Sequence, residues 1–206
     1  MHPNPAFRDA DTQTALGTAR ERGFGTLVLS TTGAPLIAHV PFLLSEDGLE
    51  ADLHLVRSNP ICRACSTPQP ATLAVNGPDG YISPDWYGIP DQVPTWNYVA
   101  VHLTGMLHPL PPDALEPMLA AQSAAYEARL PKVPWTMDKM TTDTRARFLR
   151  MILPFRMTIT SVNSTFKLNQ NKPDDLRNAA AQEVEGGFGS DLAALGELMR
   201  RPPQPE

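Results

Sequence analysis

The sequence predicts a mainly β (α+β) fold: a small barrel of six to seven antiparallel strands with peripheral helices. Three observations carry this. Proline fills 22 of 206 positions, roughly twice ordinary usage. Pro35, Pro41, Pro60, Pro68, Pro70, Pro78, Pro84, Pro90 and Pro94 would each remove an amide donor and fix φ, which favours short strands between turns over helix. Apolar, β-branched runs recur between turn residues through the first two-thirds of the chain, and two helical patterns are inserted late, before the last strand.

Residues 9–22 read as a helix that Asp9 or Asp11 can cap and Gly23 ends. Strands follow at 24–30 (FGTLVLS) and 36–44 (LIAHVPFLL), with a turn at 31–34 and a hairpin signal in Glu46-Asp47-Gly48. Residues 49–55 alternate, Leu49, Ala51, Leu53 and Leu55 against Glu50, Asp52 and His54, so the first three strands form a meander. A short helix enters through Pro60 and runs over 60–65. A fourth strand covers 71–75, Gly77-Pro78-Asp79-Gly80 reads as a tight turn, 81–83 continues the sheet and 84–94 is a loop.

The longest predicted strand covers 96–107. Asn97, Val99, Val101, Leu103 and Leu107 lie on one side, Trp96, Tyr98, Ala100, His102 and Thr104 on the other, and Gly105 marks a bulge or a close backbone approach. Asp113 and Glu116 have capping-box spacing ahead of a helix bearing Leu115, Met118, Leu119 and Tyr126. A second helix spans 138–151 and a last strand 155–162. Helices over 174–182 and 191–201 flank Gly186-Gly187, and Pro202, Pro203 and Pro205 form a tail. One domain over 1–185, followed by a C-terminal helix and Pro-rich tail over 186–206, accounts for the chain.

With 42% hydrophobic and 19% charged residues and a mean hydropathy of −0.24, the profile is that of a soluble globular protein able to bury a core without disulfide or metal. No apolar run approaches the length of a membrane span. The N-terminal residues lack a signal-type apolar stretch, so a cytoplasmic location is expected. The net charge is −5. Basic residues cluster only at Arg145, Arg147, Arg150 and at Arg200, Arg201, and an acidic chain without a basic face argues against direct DNA binding. Cys62 and Cys65 form a lone C-x-x-C; with no second pair for zinc and no βαβ context, two structural thiols on a short helix is the preferred reading.

Three segments carry candidate chemistry. In HLVRSNP (54–60) a strand gives way to a helix, and Arg57, Ser58 and Asn59 with the helix-start amides suit a phosphate or carboxylate; an ordinary helix cap beside a surface arginine is the plainer alternative. YISPDWY (81–87) and PTWNY (94–98) place five aromatics in 18 residues of a chain that is 7% aromatic. Tyr81, Ser83, Trp96 and Asn97 there suit a flat heteroaromatic ligand, or a dimer interface lined with rings. FKLNQNKP (166–173) offers Lys167, Gln170 and Asn171, amides able to read a pyrimidine-like edge, or a solvated polar loop. His2, His39, His54, His102 and His108 show no metal-ligand spacing, and G-x-S-x-G, P-loop and G-x-G-x-x-G patterns are absent. No metal site is expected and no catalytic residue stands out.

HLVRSNP, YISPDWY, VPTWNYVAVHLTG and KLNQNKP, in this order and at these separations, resemble the PaiB family of FMN-binding negative transcriptional regulators, from the start of the chain to about Pro173. Phe166 stands where that family more often has tryptophan, and Asn169 where it more often has serine. The resemblance implies an FMN-binding split β-barrel and a homodimer with FMN where two barrels meet. Arg57, Ser58 and Asn59 would then hold the phosphate, Tyr81, Ser83, Trp96 and Asn97 would line the ring system, and Lys167, Gln170 and Asn171 would close the site. It also implies a negative transcriptional regulator, and the acidic charge balance favours one working through flavin or redox sensing with a protein partner or a small-molecule substrate over one in strong direct contact with DNA. The alternatives are an FMN-dependent oxidoreductase and a haem-binding barrel ligated by His39, His54 or His102.

Overall fold

The computed structural model describes residues 1–8 and 10–203. Among these residues are seven strands, β1 (Phe24–Leu29), β2 (Leu36–Leu44), β3 (Glu50–Val56), β4 (Gln69–Ile82), β5 (Thr95–Pro109), β6 (Ile152–Lys167) and β7 (Gly189–Ser190), and the helices α1 (Thr12–Arg22), α2 (Pro60–Ala64), α3 (Leu115–Glu127), α4 (Thr142–Leu149), α5 (Asp174–Glu183) and α6 (Leu192–Arg200), in the order α1-β1-β2-β3-α2-β4-β5-α3-α4-β6-α5-β7-α6. The strands pair in the order β1-β2-β3-β6-β5-β4-β7, and an additional β1–β4 pairing joins the first six into a closed antiparallel barrel. This is the expected fold.

The chain divides into two compact units interleaved in sequence, one of Met1–Arg22, Val75–His102 and Val162–Glu206, the other of Gly23–Ala74 and Leu103–Ser161. The second is the barrel unit. Its strands largely alternate, so Leu27, Val40, Phe42, Leu53, Leu55, Leu73, Leu103, Leu107, Phe155 and Met157 are buried, with Pro154 beside Phe155 buried as well. The cross-strand pair Asp52–Arg156 is bidentate, at 2.6 and 2.8 Å. Gly105 allows a close approach, since a Cβ there would lie 1.9 Å from the Thr158 carbonyl oxygen. The Tyr126 hydroxyl lies 2.7 Å from both the Gly23 and Phe42 carbonyls and ties α3 to the start of the meander. The other unit, the helix-flanked one, buries Ile82, Val99, Phe166, Leu168, Ala180, Leu195 and Met199 together. There Arg177 links α5 to α6 through the Met199 carbonyl at 2.8 Å.

Several expectations are corrected. Gly77-Pro78-Asp79-Gly80 is not a turn; β4 runs through it. A Cβ at Gly77 would lie 2.8 Å from that of Val99, and at Gly80 2.9 Å from Leu192 and Leu195, so these glycines serve tight packing. The longest strand is β6, of 16 residues against 15 in β5. No side chain caps α3; Glu116 pairs with Arg145 instead. Asp11 caps α1 through the Thr14 amide at 2.6 Å, while Asp9 and Pro205 lie outside the described residues. Both thiols are engaged structurally, Cys62 donating to the Val56 carbonyl and Cys65 to that of Leu107. Burial raises both, Cys65 to about 11, which disfavours the thiolate that redox exchange needs.

His54 of β3 is half-buried, and burial holds its imidazole below the ordinary value of 6.5; its Nδ1 has no partner among the described residues. The native state therefore binds fewer protons than the unfolded chain below that value, and stability falls as pH drops through about 6.5. Denaturant midpoints should show this decline in the wild type and a shallower one in His54→Gln. Gly105→Ala should cost about 1–3 kcal/mol or more by overpacking. Gly17→Ala, in α1 with nothing within 4 Å of the added Cβ, should gain roughly 0.5–1 kcal/mol; thermal unfolding of the two variants checks both.

Candidate functional site

Arg57, Ser58 and Asn59 lie in the barrel unit, where β3 ends and α2 begins. The junction is pinned by the Arg57 amide, which donates to the Met151 carbonyl at 2.8 Å. The guanidinium Nε donates to the Arg150 carbonyl at 3.0 Å, and no carboxylate among the described residues forms an ion pair with Arg57. Arg57 and Ser58 are exposed. Asn59 caps α2, its Oδ1 accepting from the Ile61 amide at 2.9 Å. Arg57 and Arg150 also line a cavity of about 400 Å³ with Pro112, Asp113 and Glu116.

Tyr81, Ser83, Trp96, Asn97, Lys167, Gln170 and Asn171 all lie in the helix-flanked unit. Tyr81 and Trp96 meet edge to face with centroids 6.4 Å apart. Both rings are exposed, and the Trp96 indole is fixed by donating to the Asp79 carboxylate at 3.2 Å. Ser83 is used locally, capping a short 3-10 turn through the Asp85 amide. Gln170 is also used locally: its Oε1 accepts from the Leu168 amide at 2.8 Å, and its Nε2 donates to the Phe166 carbonyl. Asn171 is exposed.

Asn97 is fully buried, and among the described residues neither its Nδ2 nor its Oδ1 has a partner. Such an amide costs free energy until a partner is found. Lys167 is half-buried, hydrogen-bonded to the Thr95 hydroxyl, and without a carboxylate partner among the described residues. Removal from water pushes its ammonium below the usual lysine range.

Two groups that the sequence reading passed over emerge here. Asn169, in a left-handed conformation at φ 63°, donates to the Tyr87 hydroxyl at 2.8 Å. Lys172 sits over the Tyr87 ring at 4.3 Å and donates to Gln92 at 2.6 Å. Together they fasten the loop after β6 to the loop before β5. The second group is Phe188, 70% exposed, whose ring meets that of Trp96 at 5.5 Å and 89°. Its position in a glycine-rich C-terminal segment gave no pattern to read.

The donors present suit FMN chemically. An unpaired guanidinium on an exposed junction matches a phosphate. The exposed Tyr81 and Trp96 rings match a flat heteroaromatic, while Asn97, on the opposite, buried face of β5 from Trp96, and Lys167, on the Thr95 hydroxyl of that face, offer the groups a hydrogen-bonding edge needs. The histidines offer no comparable constellation. His39 contacts the Thr26 hydroxyl at 3.1 Å, burial lowers His54 and His102, and the described residues contain no cluster of three or more potential metal-ligating residues. No described helix is long and apolar enough to cross a membrane.

Comparison with known proteins places these features. Residues 1–161 match the family described as "Putative FMN-binding domain". Over 195 residues the chain is 27% identical to the protease synthase and sporulation protein PAI 2 of Bacillus subtilis (strain 168), covering 94% of this chain and 93% of that protein. Two solved structures share the fold. An FAD and heme binding protein from Mycobacterium smegmatis has a TM-score of 0.57 at 19% identity, over 89% of this chain and 82% of that one. The flavocytochrome Anf3 from Azotobacter vinelandii has a TM-score of 0.59 at 12% identity, over 92% and 80%. With more than three-quarters of its length matched to that FMN-binding domain, the chain belongs to the PaiB family of FMN-binding split-barrel proteins, and its cofactor is FMN.

Proposed function

We propose that this protein is a dimeric flavin- or redox-sensing regulator of the PaiB type that acts without strong direct contact to DNA. Arg57 and Ser58 are assigned to the phosphate of FMN, and Tyr81, Trp96, Asn97, Lys167 and Asn171 to its ring system. Asn59, Ser83 and Gln170 support these groups by shaping the turns that carry them. Bound FMN would supply reversible electron uptake.

The observation that carries the reading is Lys167, a half-buried cation hydrogen-bonded to the Thr95 hydroxyl and without an ion pair among the described residues, in a chain of net charge −5. A cation held this way stabilises an electron-rich ligand beside it and is costly without one. The basic clusters that could have met DNA are compromised by acidic neighbours: Arg145 pairs with Glu116, and Arg200 with Glu185 and Glu197. Exposed Val56, Phe148 and Met151 on the barrel unit supply apolar surface of the kind a second copy covers.

The purified protein should be yellow and should have a solution mass of about twice 22.5 kDa. Colourless protein that fails to bind added FMN, or a monomer with FMN bound, would overturn the corresponding part of the reading. NAD(P)H turnover by the yellow protein would make it an oxidoreductase instead, and a DNA mobility shift that falls steeply with salt would restore direct contact. Arg57→Ala should weaken FMN by roughly 10- to 100-fold, the range for one charge-assisted hydrogen bond, while riboflavin, which lacks the phosphate, should bind both proteins alike. Lys167→Met should weaken FMN binding or move its midpoint potential to more negative values; equal titrations of variant and wild type would remove Lys167 from the site.

A further inference from the structure

The C-terminal segment after α5 forms a hook that presents an aromatic side chain to solvent at considerable conformational cost. Gly189 adopts φ 155°, and a Cβ there would lie 2.2 Å from the Asp79 carbonyl oxygen. At Gly187 a Cβ would lie 2.9 Å from the end of the Trp86 ring. Only glycine on each side allows the segment to lie this close. The hook is then fixed to β4 by the pairs Asp79–Ser190 and Gly80–Gly189 and by the Tyr81 amide, which donates to the Phe188 carbonyl at 2.9 Å. Asp191, at φ 55°, anchors its far end by pairing with Arg22 at 2.5 Å. Between these fixed points Phe188 is held 70% exposed, against Trp96 and beside Tyr81.

We propose that Phe188 is a third aromatic wall of the flavin-ring site, which its glycine-bracketed hook positions against Trp96 and Tyr81. This rests on the assignment of Tyr81 and Trp96 to the ring system. A ring on a pinned backbone gives up little entropy on contact, so its exposed face is preorganised for another flat surface. The occupant is an uncharged ring and not the phosphate, because the Asp79 carboxylate sits in the cluster on the Trp96 indole and would repel an anion. The same carboxylate, together with the net charge of −5, disfavours an acidic second copy there. Phe188 lies beyond residues 1–161, which carry the family match, so this wall belongs to a part of the chain to which the family description assigns nothing.

The test compares FMN titrations of wild type, Phe188→Ala, Phe188→Tyr and Trp96→Ala, read by flavin absorbance and fluorescence. Phe188→Ala should bind FMN about 2- to 10-fold more weakly, the range of one ring–ring contact, with altered fluorescence of the bound flavin. Its unfolding midpoint should not change, because the ring is outside the core. Phe188→Tyr should restore both readouts. If Trp96→Ala weakens binding while Phe188→Ala leaves affinity and spectrum as in the wild type, the Phe188 proposal fails alone; if Trp96→Ala binds normally, the ring assignment beneath it fails. Conversion of dimer to monomer by Phe188→Ala at unchanged FMN affinity would assign the ring to contact between copies and would also overturn the proposal.

Discussion

Four residue pairs between β1 and the first half of β4, Thr26–Ala74, Leu27–Leu73, Val28–Thr72 and Leu29–Ala71, close the six-strand ring, and much else follows from them. A closed ring leaves no unpaired strand edge along that part of the sheet. β4 is 14 residues long, and closure uses only its first part. Its remaining length is therefore available to carry Asp79, Gly80 and Tyr81, pair with β7 and support the aromatic cluster. The strand that seals the barrel also builds the candidate ring site.

The distribution of cations follows a related economy. Of the 17 Lys and Arg residues, six meet a carboxylate in an ion pair among the described residues. Arg156 lies across β3 on Asp52 and Glu50, and Arg177 joins Asp174 and a helix-end carbonyl. Arg22, Lys132, Arg145 and Arg200 each meet a carboxylate, while Lys172 is spent on the Tyr87 ring and Gln92. Exposed ion pairs of this kind add little stability, but they remove net positive potential from the surface. Among the described residues Arg57, Lys139 and Lys167 differ in being hydrogen-bonded to neutral oxygens without an ion pair. A positive field that survives such pairing is where an anionic or electron-rich ligand gains most.

Much of the fold was legible because it is local. The alternation in β3 and β5 names the buried face directly, and Asp11, Gly23 and Asn59 do at helix ends what their types favour. Two elements were not legible, for one shared reason. In β4, Gly77 and Gly80 are required by approaching side chains from Val99, Leu192 and Leu195, and a glycine kept for close packing looks in sequence like a glycine kept for a turn. β7 is two residues long and exists only because Gly189 can lie against Asp79. Long-range contact decides both. The candidate site was readable to the same depth: rings and cations stood out, whereas the presence of Phe188 depends on a pairing across more than a hundred residues.

Chain reach explains which candidate residues remain available to a ligand. Ser83 and Asn59 have short polar side chains that return to a nearby backbone amide, which is their common fate at turns and helix starts, and Gln170 satisfies both ends of its amide within its own turn. Long cations and large rings cannot fold back so compactly, and Arg57, Lys167, Tyr81 and Trp96 keep charged or π surface unspent. Asn97 breaks this rule. It is short, wholly enclosed and flanked by backbone, yet both amide atoms lack a partner among the described residues. Backbone groups in the interior of a strand are already committed to the ladder, so a buried amide there has nothing local to turn to. Replacement by an apolar residue of similar size would remove that cost, which makes an unsatisfied asparagine on the buried face of β5, opposite the face that carries Trp96, hard to account for by packing alone.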